Sequence, residues 1–380
     1  MGSSFICPIC GNTDLSKTGI RKGERYCRVC IKFSKSKQIK KAIPKGYKAH
    51  LTYNLSAEQI NLSNSLLTNY KNNVNTLVHA VCGAGKTEIV LKVISYALKN
   101  KLSVGFAIPR KDVVIEIYAR LKEIFLDNTI TAVYGEHTSI LSADIICLTT
   151  HQLYRYKNYF DLLIMDEIDA FPFKNNKLLN HFFLTSIKGP YILLSATPDK
   201  ETINYFFKDG FDILHLNHRF HGFDLPVPIF KRIIFPFNFI YLINKLNKYI
   251  SLNKKTFIFF PTIDLAEKSF KIIKFFIKDG EIVHSKIKNR NEIIQAFKDG
   301  KYKYLITTSV LERGITVKDL QVIVMYADHQ IYDEYSLEQI SGRVGRKKDA
   351  PTGDVIFIGG ENNEKIKKTI SSIRSKNESL

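Results

Sequence analysis

Lys86 and Thr87 close the run Val81-Cys82-Gly83-Ala84-Gly85-Lys86-Thr87, and Glu88 then opens an apolar helical pattern. Gly83 and Gly85 allow backbone angles and a close approach that a Cβ would block, so amides around Ala84 can point at a β-phosphate. Lys86 supplies a cation to the β and γ phosphates, and the Thr87 hydroxyl can ligate magnesium. The usual pattern opens with a glycine where this chain has Ala80, at a strand end where a small residue suffices. Further on, the apolar run FDLLIMDE ends in Asp166-Glu167. At the carboxyl edge of a parallel sheet, Asp166 can take Mg2+ through water while Glu167 orients and polarises the attacking water. Arg343 and Arg346 in QISGRVGR lie three apart, so at a helix start they share a face. Placed in a second domain, they would neutralise γ-phosphate charge when the domains close. These are the parts of an enzyme that hydrolyses ATP.

A second chemistry sits near the amino end. Four of the 6 cysteines form Cys7-Pro-Ile-Cys10 and Cys27-Arg-Val-Cys30, with 16 residues between the pairs. That spacing suits one Zn2+ held by four thiolates, a structural role because no coordination position stays open. Gly11, Gly19 and Gly23 suit the tight hairpins of a zinc ribbon. Disulfides are disfavoured in a chain without a secretory signal, and a redox motif by the lack of a strand-helix pattern. Cys82 and Cys147 stand apart beside apolar segments, as small core residues do.

Short apolar runs must position these groups. They are TLVHAV (76–81), SVGFAI (103–108), ADIICLTT (143–150), FDLLIMDE (160–167) and YILLSAT (191–197), separated by helix-length intervals. A second series follows DLPVP (224–228): TFIFFP (256–261), EIVHS (281–285), YLITTS (304–309), LQVIVMY (320–326) and GDVIFIG (353–359). Such alternation specifies an α/β fold with two tandem parallel sheets. The expected divisions are a zinc ribbon and basic linker over 1–46, a first domain over 47–225 and a second over 226–380. Residues 32–48, KFSKSKQIKKAIPKGYK, read as a linker whose lysines either follow a phosphate backbone or keep a flexible connector soluble.

The chain has 380 residues, 45% of them hydrophobic, enough for sizeable cores. Its net charge of +20 favours a polyanionic partner, although abundant Lys, Ile, Asn and Phe are also what an AT-rich coding sequence leaves. The most apolar run, around Ile233 to Ile243, contains Pro236 and Asn238 and is too short to span a bilayer. No secretory leader opens the chain, and Ile6 rules out a myristoylation signal at Met1-Gly2. A protein neither inserted nor exported is expected.

The ordered set AVCGAGKTE, AIPRK, TTHQL, DEID, SATP, FIFFPT, TTSVLERGIT and QISGRVGR resembles the superfamily 2 nucleic-acid helicases and translocases over almost everything after residue 50. With the four-cysteine ribbon it looks like the ComFA-type late competence proteins, ATPases of DNA uptake in transformable Gram-positive bacteria. The resemblance implies two RecA-like domains, with Gln59 recognising adenine and Arg313-Gly314 and Gln339 near the nucleotide. It places Arg110, Thr150 and His151 along a single-stranded DNA track on the first domain, and Thr307 and Thr308 along it on the second. The implied partners are single-stranded DNA, a membrane DNA-uptake channel and other competence proteins, with a cytoplasmic location at the inner face of the cell membrane. Two rivals stay open: a duplex-unwinding helicase resembling the PriA replication-restart enzymes, and a non-catalytic zinc-ribbon regulator that binds nucleic acid.

Overall fold

In a computed structural model of the chain the described residues are 5–31, 33, 39–81, 83–174, 176–196, 203, 204, 206, 210–216, 218, 219, 222–308, 311 and 316–378. The chain divides into two compact units, the first Met1–Val81 with Gly85–Leu216, the second Asn217–Leu380 with Cys82–Ala84.

The first unit opens with a hairpin of β1 (Thr18–Arg21) and β2 (Glu24–Cys27). Lys22 and Gly23, both at positive φ, make the two-residue turn that suits the right-handed twist of the strands. The elements that follow are α1 (Ala57–Lys71), β3 (Asn75–Ala80), α2 (Lys86–Ile89), α3 (Leu91–Lys99), β4 (Val104–Ile108), α4 (Lys111–Ile124) and β5 (Ile130–Val133). Then come β6 (Ile145–Thr149), a 3-10 segment (Thr150–Arg155), β7 (Leu162–Asp166), α5 (Lys177–Ser186), β8 (Tyr191–Ser195) and β9 (Phe211–Leu216). Strands β3 to β9 pair in parallel in the order β5-β6-β4-β7-β8-β3-β9. Every residue of β4, β6, β7 and β8 is buried, which is why these strands read as unbroken apolar runs. Cys147 lies in β6, fully buried among them.

The second unit comprises β10 (Ile229–Arg232), α6 (Phe237–Ser251), β11 (Lys255–Phe259), α7 (Ile263–Phe276), β12 (Gly280–Val283) and α8 (Arg290–Lys298). It continues with β13 (Tyr304–Thr307), β14 (Leu320–Met325), α9 (Glu334–Ser341), β15 (Val355–Gly359) and α10 (Glu364–Glu378). Its sheet is also parallel, in the order β10-β15-β14-β11-β13-β12. Separate apolar clusters form on its two faces, one around Phe257, Val322 and Leu337 and one around Leu242, Ile258 and Ile306.

The four-cysteine module does not hang from a solvated connector. Cys7, Cys10, Cys27 and Cys30 share one buried cluster with Leu179, Phe182 and Phe183 of α5. Phe33 sets its ring edge-on to both Tyr154 and Phe182, each at 5.0 Å. Beyond it the basic segment is tied down. Ser142 donates to the Lys40 carbonyl at 2.7 Å, Lys41 Nζ pairs with Asp161 at 2.7 Å, and Asn128 donates to the Gly46 carbonyl at 2.9 Å. Composition alone suggested a flexible linker, but Asp161 and the carbonyl bonds give its described part a fixed seat.

Candidate functional site

Strand β3 delivers Ala80, fully buried as its last residue, into the glycine-rich loop. Gly83 and Gly85 both take φ of +84°, a region open to glycine, so the loop can turn there without strain. Lys86 and Thr87 follow in α2, and Val90 keeps right-handed helical angles between α2 and α3. From the neighbouring part of the sheet, β7 ends in Asp166, whose Oδ1 lies 3.9 Å from Lys86 Nζ and accepts the Glu167 amide at 2.8 Å. Burial pushes the Asp166 carboxyl up to about 6; Lys86 opposes the shift and the Glu167 charge adds to it. Glu167 takes a positive φ of 55°, an uncommon conformation for such a residue and typical of functional turns. Asp169, the last residue of DEID, accepts from Ser195 Oγ at 2.9 Å, linking that motif to the SAT segment. Thr197 and Pro198 of that segment lie outside the described residues, as does Cys82.

Gln59 is buried and does two things. Its Oε1 accepts from the Ser56 amide at 3.0 Å in a capping box at the start of α1. Its Nε2 lies against Gly85, where any Cβ would collide with it. Glu88 is also buried, and its Oε1 accepts from the Tyr53 hydroxyl at 2.6 Å and pairs with Arg120 of α4. Thus Gln59, Gly85, Lys86, Thr87, Glu88, Asp166 and Glu167 come together in the first unit. The residues fit a magnesium nucleotide: glycines at permissive angles, a lysine beside a carboxylate, and the buried Thr87 next in sequence.

The expected nucleic-acid residues divide by burial. Arg110 stands partly exposed just before α4. Thr150 is fully buried at the start of the 3-10 segment, its Oγ1 without a hydrogen-bond partner among the described residues. His151 beside it is partly buried, which lowers its pKa and keeps the imidazole neutral near pH 7. In the second unit Thr307 ends β13 and donates to the Thr308 carbonyl at 3.1 Å, and both threonines are buried. Arg313 and Gly314 lie outside the described residues.

Arg343 and Arg346 were expected at a helix start and are found past a helix end. Helix α9 carries the buried Gln339 and stops at Ser341, after which Gly342 and Gly345, the latter at φ +70°, turn the chain. The glycines on either side of Arg343 and Val344 favour this termination over initiation. Arg343 is buried, whereas Arg346 is partly exposed and donates Nε to the Gly342 carbonyl at 2.9 Å. Arg219, which sequence reading passed over, holds this turn. Its Nη1 donates to the Val344 and Gly345 carbonyls at 2.8 Å each, and its Nη2 to the Gly342 carbonyl at 3.3 Å. Tyr53 and Arg120 were missed as well. A lone arginine or tyrosine far from a motif carries no local signal of such a role.

The cysteine module has the geometry of a metal centre. The Cys7 and Cys30 sulfurs are 3.4 Å apart, those of Cys10 and Cys27 3.6 Å, and all four lie within 4.8 Å of one another with no disulfide among them. A tetrahedron with Zn–S of about 2.3 Å has edges of about 3.8 Å. Burial pushes the Cys10 thiol up to about 11 and raises Cys30 as well; at Cys7 burial also pushes up, but hydrogen bonds from the Cys10 and Ile9 backbone and with the Cys30 and Cys10 side chains together lower it. Such a cluster favours a dication that stabilises the thiolates.

Residues 52–200 match the family described as Type III restriction enzyme, res subunit, and residues 241–348 the helicase conserved C-terminal domain. The chain is 36% identical to the competence protein ComFA of Streptococcus pneumoniae, over 98% of its own length and 90% of that protein. It is 34% identical to ComFA of Bacillus subtilis, over 93% and 81%. Among solved structures it is similar to S. cerevisiae Dbp5 bound to RNA and ADP BeF3, with a TM-score of 0.63 and 17% identity over 86% of this chain and 92% of that one. It is also similar to RecG bound to a three-way DNA junction, with a TM-score of 0.60 and 16% identity over 87% and 48%. The two parallel-sheet units are therefore RecA-like.

Proposed function

This chain belongs to the ComFA family of competence proteins, within the superfamily 2 helicases, and from that premise we propose that it is an ATP-driven motor that moves along single-stranded DNA. Its task is to help draw transforming DNA into the cytoplasm, working from the inner face of the cell membrane with an uptake channel and other competence proteins. None of its described helices is long and apolar enough to cross a membrane, in keeping with a peripheral place. The observation that carries the reading is the approach of Lys86 Nζ to Asp166 with Glu167 next in sequence.

In this reading Lys86 binds the β and γ phosphates of ATP, and Thr87 with Asp166 holds Mg2+. The metal supplies charge neutralisation at the phosphates. Glu167 orients water for attack, Gln59 reads adenine, and Arg343 and Arg346 supply positive charge to the γ-phosphate. Gly83, Ala84, Gly85 and Glu88 shape the loop, and Gln339 and Gly314 line the nucleotide. Arg110, Thr150, His151, Thr307 and Thr308 mark the DNA track, with His151 acting as a neutral hydrogen-bonding group. Cys7, Cys10, Cys27 and Cys30 hold structural zinc.

ATP turnover of the full chain, alone and with homopolymeric single-stranded DNA, RNA and duplex, tests this. Stimulation by single-stranded DNA is expected. Absence of turnover under every condition would leave the non-catalytic regulator instead.

A further inference from the structure

The two carboxylate oxygens of Glu88 stand in unlike surroundings. The residue is 5% exposed. Arg120 Nη2 and the Tyr53 hydroxyl both converge on Oε1, so the guanidinium does not straddle the carboxylate as a two-pronged pair would. Oε2 is buried without a hydrogen-bond partner among the described residues. A carboxylate oxygen in that state is costly, and its persistence in a built site needs an explanation.

Its position supplies one. Oε2 lies 3.1 Å from the point that a Cβ on Gly85 would occupy, and Gln59 Nε2 crowds the same point. The orphan acceptor therefore faces the glycine loop beside the residue read as the adenine contact. Arg120 and Tyr53 hold the carboxylate by its other oxygen, so it cannot turn Oε2 away without giving up both donors.

We propose that Glu88 Oε2 accepts a hydrogen bond from the exocyclic amine of adenine and thereby sets the preference of the site for ATP over GTP. The proposal rests on the reading of this loop and Gln59 as an adenine-nucleotide site. Guanine carries a carbonyl oxygen where adenine carries that amine, and two acceptors facing each other repel. A site built to bond a donor rejects the analogue that lacks it, because its buried acceptor is then left unpaired. The ribose hydroxyls are the other donors a nucleotide offers, but GTP carries the same ribose, so a contact to either hydroxyl leaves the ATP-to-GTP ratio unmoved.

The test is equilibrium binding of ATP, dATP, GTP and purine-riboside triphosphate, each with Mg2+, to the full chain and to Glu88→Gln. With its oxygen held by Arg120 and Tyr53, the glutamine presents its nitrogen to the base, so the ATP-to-GTP affinity ratio should fall by about tenfold or more in Glu88→Gln. The ATP-to-dATP ratio should not move. A merely structural Glu88 would weaken all nucleotides alike, leaving the ATP-to-GTP ratio unchanged, and a ribose contact would leave that ratio unchanged too, moving the dATP ratio where the 2′-hydroxyl is the donor. Either result overturns the proposal. Should Glu88→Gln fail to fold, Glu88→Asp, whose shorter arm withdraws the carboxylate from the base, takes its place with the same expected fall in the ATP-to-GTP ratio, and purine-riboside triphosphate, which lacks the amine, binding the wild-type chain as tightly as ATP refutes the idea. Failure of the underlying reading looks different, since no nucleotide would then bind, or Lys86→Ala would bind ATP as the wild type does.

Discussion

Replacing Phe33 with alanine separates two roles of the amino-terminal module, metal binding and docking on the first RecA-like unit. The ring stands edge-on to Tyr154 and Phe182 at 5.0 Å each and joins the cluster that holds the four cysteines and α5. Burying a Phe side chain fully contributes about 1.5–3 kcal/mol, and Phe33 is partly buried. Each edge-on pair adds about 0.5–1.5 kcal/mol, so Phe33→Ala should cost about 2–4 kcal/mol of docking free energy. For a unit of this size that lowers its melting temperature by about 5–10 °C. Zinc should stay at about one per chain, since the ligand set is untouched. Hydrogen exchange should rise across residues 177–186, where α5 loses its cover. Unchanged melting and unchanged exchange in α5, with the substitution verified, would refute the claim that the module is an integral part of the first unit.

Cys10→Ser should release the metal, because zinc binding supplies much of the folding free energy of such a module; metal analysis and limited proteolysis of residues 5–31 check it. Glu167→Gln should bind ATP and lose most turnover, while Lys86→Ala should lose nucleotide affinity too; equal affinity in Lys86→Ala and wild type contradicts the assigned roles. Arg219→Ala removes three donors from the carbonyls around Arg343 and leaves a buried turn unsupported. Hydrogen bonds from a charged group are worth about 1.5–3 kcal/mol each, so turnover should fall about tenfold or more with ATP affinity kept. Arg219→Lys should not rescue it, because a single compact nitrogen lacks the planar, two-nitrogen spread with which the guanidinium reaches these carbonyls. Binding to single-stranded DNA should weaken steeply as salt rises, and a salt-independent affinity speaks against lysine and arginine contacts to phosphate.

The central strands were legible because burial on both faces writes itself as continuous apolar sequence. TLVHAV, SVGFAI, FDLLIMDE and YILLSAT all fall on strands found, within a residue or two at either end. The strands that escaped notice, β5, β9 and β10, lie at sheet edges. β9 is mostly part-buried and β10 mostly exposed, and Asp212 and His215 in the one and Lys231 and Arg232 in the other break up the apolar residues and leave no run to notice. The loop Gly83–Thr87 and the cysteine pairs were legible because their chemistry requires fixed local spacing. The seat of Lys41 on Asp161, the grip of Arg120 on Glu88 and that of Arg219 on the turn after α9 join residues far apart in the chain. Nothing local in the sequence marks such pairs. The QISGRVGR segment was misread because Gly342 and Gly345 end α9, while the sharing of a face by Arg343 and Arg346 presupposes a helix that starts there.

Movement along a single strand is the central claim, and displacement of streptavidin from a biotinylated single-stranded oligonucleotide measures it most directly. The full, zinc-loaded chain should displace the block from one end only, in a manner that needs ATP and is abolished by Glu167→Gln, while separating a duplex of roughly twenty pairs poorly. Robust ATP turnover with no displacement from either end contradicts the account, and rapid duplex separation at the rate of single-strand movement replaces it with the helicase reading.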